Sequence, residues 1–407
     1  MKEESLLLLS DLQKLINQVV LIDYTIIILG EDCMHIRYST DDYEKLDGQH
    51  NIMVLVGNGF DIAVLNKYGD KKMNGKSTKY SDFFEYVTYF RLCDDNNLIY
   101  KKMKEDHEQN KENWCDFESS VDELLGEMIN DGRQGEIPKL ETDLDAIQNS
   151  FSRFLNDIVT TDVVLKLNDK SKANKWADTS LSKFMGDINP KDDMMFVKNT
   201  YHYNLYNFIF VNFNYTELLD NYIYLDKSQF EPHRHKNADR NFTFFPNPDG
   251  KLTEFNEDTS WSSYIMTNII HPHGRQNIPR SMIFGTELEN YDKSKAEKRL
   301  IKSYWAQDDL KYKRYFKDTE LFIIYGMSMS NTDGWWMNNI YNSLKMRESE
   351  LIIYNFEEEL SDDDVKQKFL DACTYVDASE SENVKAKIYV VQLQNNENYF
   401  LGLKESN

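Results

Sequence analysis

Four short clusters in this chain carry residue types that handle polar ligands. The first is Gly57-Asn58-Gly59-Phe60-Asp61, which directly follows an apolar run at 51–56. Glycines at a strand-to-helix turn let backbone amides approach a phosphate, and the helix start adds partial positive charge. Ile62 stands where a full dinucleotide fingerprint has its third glycine. The same residues therefore also read as a tight turn with Asn58 in a left-handed conformation. The second cluster, Val211-Asn212-Phe213-Asn214-Tyr215-Thr216, ends a buried run. Its amides can hold a water or a ribose hydroxyl without bringing charge, or Thr216 caps the next helix. The third is Ile269-Ile270-His271-Pro272-His273-Gly274. Two histidines two apart suit a metal pair, or one base beside a structural histidine. No acid or cysteine stands at ligand spacing, so no metal is expected. The fourth runs from Ile323 through Gly326 and Ser328 to Asp333, which is placed to cap a helix or accept from a ribose.

Each cluster is ambiguous alone. Together they are four strand ends rich in Gly, Asn, His and Ser, and in an open α/β sheet ligands bind beyond such ends. The strands expected to position them lie at 51–56, 208–213, 264–270, 281–284, 321–325, 351–354 and 387–393, mostly separated by helix-length segments. Helical stripes cover 80–91, 113–128 and 143–165, so a large helical insertion at about 80–200 is expected after the first strand–helix unit. Residues 1–50 read as an N-terminal extension with a helix over 5–20 and strands at 24–29 and 34–38, and residues 51–400 as one α/β domain. Residues 226–258 read as an exposed loop.

Composition bounds the function. The chain has 407 residues, 41 % of them hydrophobic, which suffices for a sizeable core. Its 47 basic and 69 acidic side chains leave a net charge of −22, a surface that repels nucleic acid and anionic membranes. The four cysteines (Cys33, Cys93, Cys115, Cys373) are dispersed, and the apolar stretch at 16–29 is too short and polar to span a bilayer. A cytoplasmic location is expected, without direct nucleic-acid or membrane contact.

The motifs LVGNGFD, TKYSDFF, NWCDFE, FNYT, HPHG and YGMSMSNTD occur in that order over about residues 51–345 and resemble the bacteriophage abortive-infection AbiH family. That family in turn resembles the sirtuin-type NAD-binding fold. The resemblance implies a Rossmann-like, sirtuin-type parallel sheet, NAD or a related nucleotide as ligand, and growth arrest of infected cells through NAD hydrolysis. It implies that Gly57, Gly59 and Asp61 form the phosphate turn, Asp82 and Phe83 the pocket lid, and Ser328 a ribose contact. Asn58, Phe60, Thr216, Gly326 and Asp333 complete the cofactor-binding set, and Asn214 and His273 take the catalytic places. The paired cysteines of the sirtuin zinc module are absent, so protein deacetylation is not implied.

In such a site Asn214 holds the attacking water. His273, with an ordinary pKa of about 6.5, accepts a proton near neutral pH, and His271 is structural. Substituting Gly57 or Gly59 is expected to block ligand more than to impair folding, unless they hold positive φ. The rival reading is a non-catalytic nucleotide sensor acting through a partner; a nuclease fits an acidic chain poorly. A phage trigger, a defence partner protein and a homo-oligomer are all compatible with either leading reading.

Overall fold

The apolar run at 51–56 forms the centre of the sheet. A computed structural model of the chain describes residues 35–70, 75–111, 115–189, 191–232, 239–246, 260–287, 295–329, 331–357, 359–393 and 398–405. The helix expected over 5–20 and the strand at 24–29 lie outside these residues. Strand β1 (Gly48–Val56) pairs in parallel with β2 (Asn204–Asn212) on one side and β5 (Leu321–Tyr325) on the other. Beyond β2 lies β4 (Trp261–Ile270), edged by the short antiparallel β3 (Phe242–Phe244). Beyond β5 lie β6 (Glu350–Asn355) and β7 (Ile388–Gln392), both parallel. Leaving out β3, the strands stand across the sheet in the chain order third, second, first, fourth, fifth, sixth. This is the doubly wound, Rossmann-like arrangement, with a crevice where the winding reverses beyond β1 and β5.

Alternation along β1 explains its continuous apolarity. Ile52, Val54 and Val56 enter a core that includes Phe60, Phe83, Phe117 and Phe151, while Met53 and Leu55 enter a second core with Trp336, Met337 and Phe369. A strand covered on both faces has no polar side to show. The first core is built by α1 (Asn58–Tyr68) and by six helices placed between β1 and β2: α2 (Tyr80–Phe90), α3 (Leu98–Glu108), α4 (Phe117–Asn130), α5 (Ile137–Ile158), α6 (Thr161–Asn174) and α7 (Trp176–Lys183). The second is covered by α9 (Gly334–Met346) and α10 (Asp362–Asp371), with the short α8 (Leu218–Ile223) on the first side. Among the described residues no helix is long and apolar enough to cross a membrane.

Several elements differ from expectation. The stripe at 143–165 is two helices, because Thr160 takes the N-cap position and accepts from Val163 N–H at 3.4 Å. Residues 281–284 do not join the sheet. Phe284 is drawn into an aromatic cluster with Phe117 and Tyr215, and Ile283 N–H bonds to His273 O at 2.8 Å, so the segment staples the His273 loop instead. Residues 35–38 run without strand pairing, and β3 lies inside the expected loop 226–258.

The crevice itself rests on a close backbone contact. Gly59 N–H donates to Gly326 O at 2.8 Å, and Gly57 N–H to Tyr325 O at 2.9 Å. A Cβ on Gly59 would stand 2.7 Å from Gly326 Cα, and one on Gly57 2.7 Å from Gly326 O. Gly57 has a φ of −104°, so crowding and not handedness demands glycine there. Gly326 has φ +66°, a conformation that itself favours glycine. Substitution at Gly57 or Gly59, expected to cost folding less than ligand binding unless φ is positive, meets a facing backbone at 2.7 Å in both cases, so these glycines also hold two loops together. Gly59→Ala is expected to lower the unfolding free energy by about 1–3 kcal/mol in a urea titration. An unchanged midpoint would show that the two loops part without cost.

Candidate active site

A cavity of about 500 Å³ opens at the C-terminal ends of β1, β2, β4 and β5. That volume suits a ligand of small-molecule or nucleotide size. Gly57, Asn58, Gly59, Asp61, Asn214, Thr216, His273, Gly326, Ser328 and Asp333 all line it. The helical insertion closes the opposite side with Tyr80, Glu118 and Phe151.

Local hydrogen bonds position the polar groups. Asn58 donates through Nδ2 to Thr78 O at 3.0 Å and accepts from the Thr78 hydroxyl, which ties α1 to the turn before α2. Asn214 is anchored twice: its N–H donates to Asn212 Oδ1 at 3.0 Å, and its Nδ2 to Gly57 O at 3.1 Å. With the nitrogen so engaged, Oδ1 is the atom left to accept from a ligand or water. Thr216 Oγ1 receives Leu218 N–H at the start of α8 and donates to Asp61 Oδ2 at 2.6 Å. Glu217, not Thr216, takes the N-cap position of α8, without a side-chain cap bond; the cap reading of Thr216 is corrected, and its hydroxyl serves Asp61 from the cavity wall. Burial pushes the Asp61 carboxyl up to about 7, with the Thr216 hydroxyl opposing and the Asp220 charge reinforcing.

A buried charge network forms the other half of the site. Lys302, 2 % exposed, places its Nζ 3.1 Å from Asp333 Oδ1 and 3.3 Å from Glu118 Oε1. Burial works to discharge Lys302, but the two carboxylates outweigh it and raise its pKa. Glu118 also accepts from Tyr80 OH at 3.2 Å and Gly285 N–H at 3.3 Å, yet burial still pushes it up to about 7. His273 Nε2 lies 3.9 Å from Asp333 Oδ1, and its ring meets Phe213 edge-on at 5.1 Å. Burial and the Lys302 charge lower its pKa to about 3, against the pull of Asp333. The imidazole is neutral at physiological pH. Its pKa thus lies well below the 6.5 expected from the sequence, which makes the imidazole a weaker base than an exposed one.

Four sequence-singled residues stand apart from the cavity lining. Phe60 is fully buried and packs edge-on against Tyr222. Asp82 sits in the first turn of α2 and accepts from Ser77 N–H and Oγ–H at 2.8 and 2.9 Å. Phe83 faces the core against Phe151, 4.9 Å away. Asp82 and Phe83 are thus a turn clamp and a core residue, not a lid. His271 bonds through Nε2 to Asp220 at 3.0 Å, which agrees with a structural role.

The sequence motifs do not single out Lys302 or Glu118 as site residues. Glu118 left a signal, because it shares the apolar face of α4 with Val121, Leu125 and Met128. Lys302 left none, being one lysine in a charged segment. Lys302→Met strands two carboxylates in the interior, and such losses typically cost about 3–5 kcal/mol. Losing the lysine also raises the Glu118 pKa further. The deficit in urea titrations is therefore expected to be larger at pH 8, with the carboxylates ionised, than at pH 5. Equal deficits at both pH values would refute the charge-network account.

The comparisons with known proteins bear on the whole assembly. No curated protein matches the chain in sequence. The model of one family, described as bacteriophage abortive infection AbiH, matches residues 53–356, which runs from within β1 to just past β6 and spans every strand end that lines the cavity. With far more than half of its length matched, the chain belongs to the AbiH family.

Proposed function

We propose that this chain acts in bacteriophage abortive infection by cleaving the nicotinamide–ribose bond of NAD+ in the cavity at the sheet reversal. The abortive-infection role follows from the family. The hydrolytic reading rests chiefly on the cavity's charge. Asp61, Asp116, Glu118, Asp333 and Glu357 face it against Lys79 and Lys302. A wall rich in carboxylates favours a transition state that becomes positive, as the ribose does when a neutral nicotinamide departs. It disfavours transfer of an anionic phosphoryl group.

In this reading the C1–N bond breaks with its electron pair passing to the nicotinamide nitrogen. A water held by Asn214 Oδ1 bonds to C1, and its proton passes to a carboxylate. Glu118, with its pKa pushed up to about 7, is matched to that task at neutral pH. Neutral His273 orients the ligand by hydrogen bonding and adds no competing positive charge.

The test is nicotinamide release from NAD by the purified chain. Asn214→Ala is expected to lower the rate by about 100-fold or more. His271→Ala should leave turnover intact, since its partner Asp220 lies outside the cavity lining. The rate should rise with pH through about 7 as the carboxylate ionises, and the same bend should persist in His273→Gln. A bend that vanishes with His273 would return the base to the imidazole. NAD bound by the wild type without nicotinamide release would favour the sensor.

A further inference from the structure

Asp61 has an unused half. The residue is 1 % exposed and lines the cavity, yet among the described residues its Oδ1 has no hydrogen-bond partner. Its Oδ2 is already engaged by the Thr216 hydroxyl at 2.6 Å. Among the described residues the charge that acts on it is another carboxylate, Asp220. Leaving such an acceptor unsatisfied costs free energy, a cost that a ligand donor would cancel.

The chemistry of that donor is constrained. A phosphate at this point would meet a carboxylate of like charge, so the phosphate-turn role implied by resemblance does not suit Asp61. An O–H donor does suit it, as the bond from Thr216 on the other oxygen demonstrates. Thr216 and Asn214 stand two residues apart at the same strand end, both in the cavity wall. On the hydrolytic reading, Asn214 holds water at the ribose carbon being attacked.

Resting on that reading, we infer that Asp61 Oδ1 accepts a hydrogen bond from a ring hydroxyl of the ribose that carries the scissile bond. Such a bond does more than select the sugar. A carboxylate on the 2-hydroxyl strengthens its hold as the ring becomes an oxocarbenium ion, so part of the binding is realised only in the transition state. The raised Asp61 pKa is consistent with a carboxyl short of donors.

The probe is ADP-ribose, which keeps the terminal ribose and has no nicotinamide to lose. Calorimetric titration of the full chain compares ADP-ribose with its 2-deoxy and 3-deoxy analogues at that ribose, and with AMP, which lacks it. At least one deoxy analogue is expected to bind about 10- to 100-fold more weakly, the range for a hydrogen bond to a charged group. Asp61→Asn should weaken ADP-ribose by a similar factor, abolish the preference between the analogues, and leave AMP within about twofold.

Equal binding of ADP-ribose and both deoxy analogues by the unaltered chain overturns the inference. So does an Asp61→Asn loss as large for AMP as for ADP-ribose, which would mark a structural role. Should Asp61→Asn not fold, the ligand series on the unaltered chain decides alone. Hydroxyl discrimination without nicotinamide release overturns hydrolysis and leaves this assignment standing, whereas no binding of ADP-ribose overturns both.

Discussion

At the centre of this molecule two backbones approach so closely that neither has room for a Cβ. The Gly59 N–H reaches Gly326 O across the reversal of the sheet, and side chains on either glycine would collide with the facing loop. That contact sets where α1 begins and how the loop after β5 leaves the sheet. Asn58 and Asp61 therefore enter the cavity from one side, and Ser328 and Asp333 from the other. The glycines look like a phosphate cradle in sequence. In the fold the Gly59 amide donates to Gly326 O, while Gly57 and Gly59 both line the cavity.

Buried polar groups stand at both ends of the sheet. At the N-terminal end of β1, His50 lies between Glu320 Oε2 at 2.6 Å and Asn204 Oδ1 at 3.2 Å, and Asn51 donates to Asp318 O at 3.1 Å. These groups lock strand register. At the C-terminal end, Asp61 keeps an oxygen without a partner among the described residues, and Lys302 is wedged between two carboxylates. A fold selected for stability alone has little use for such an arrangement, because unsatisfied and buried ionised groups cost free energy. The charge of Lys302 reaches beyond its partners: it helps to keep His273 neutral and draws Glu118 partly back from its burial-raised pKa. One buried ammonium thus tunes two cavity groups carried by different elements.

The central strands and the cluster positions were legible because their signals are local. The run at 51–56 is apolar on both faces because both faces are covered, and its breakdown at Gly57 marks the strand end wherever the rest of the chain goes. Strand ends in a doubly wound sheet point to one edge by topology, so Asn214, His273 and Asp333 could be gathered in advance. The failures were also local in origin. Residues 281–284 have strand-like side chains, but the aromatic pocket around Phe117 and Tyr215 holds Phe284 more effectively than a sheet edge would. Phe60 and Phe83 adjoin cavity or clamp residues in sequence, yet helix rotation turns them into the core.

What the sequence determined by itself is therefore the alternation of strands and helices, the order of the strand ends and the residue types each end carries, since these depend on near neighbours along the chain. The tertiary structure alone decided the burial and pairing of those residues. Lys302 finds Glu118 across the insertion, Thr216 finds Asp61 at a separation of 155 positions, and the water-poor interior they share makes His273 neutral and lifts the two carboxyls towards neutrality. Burial and pairing are properties of neighbours in space, and no spacing along the chain encodes them.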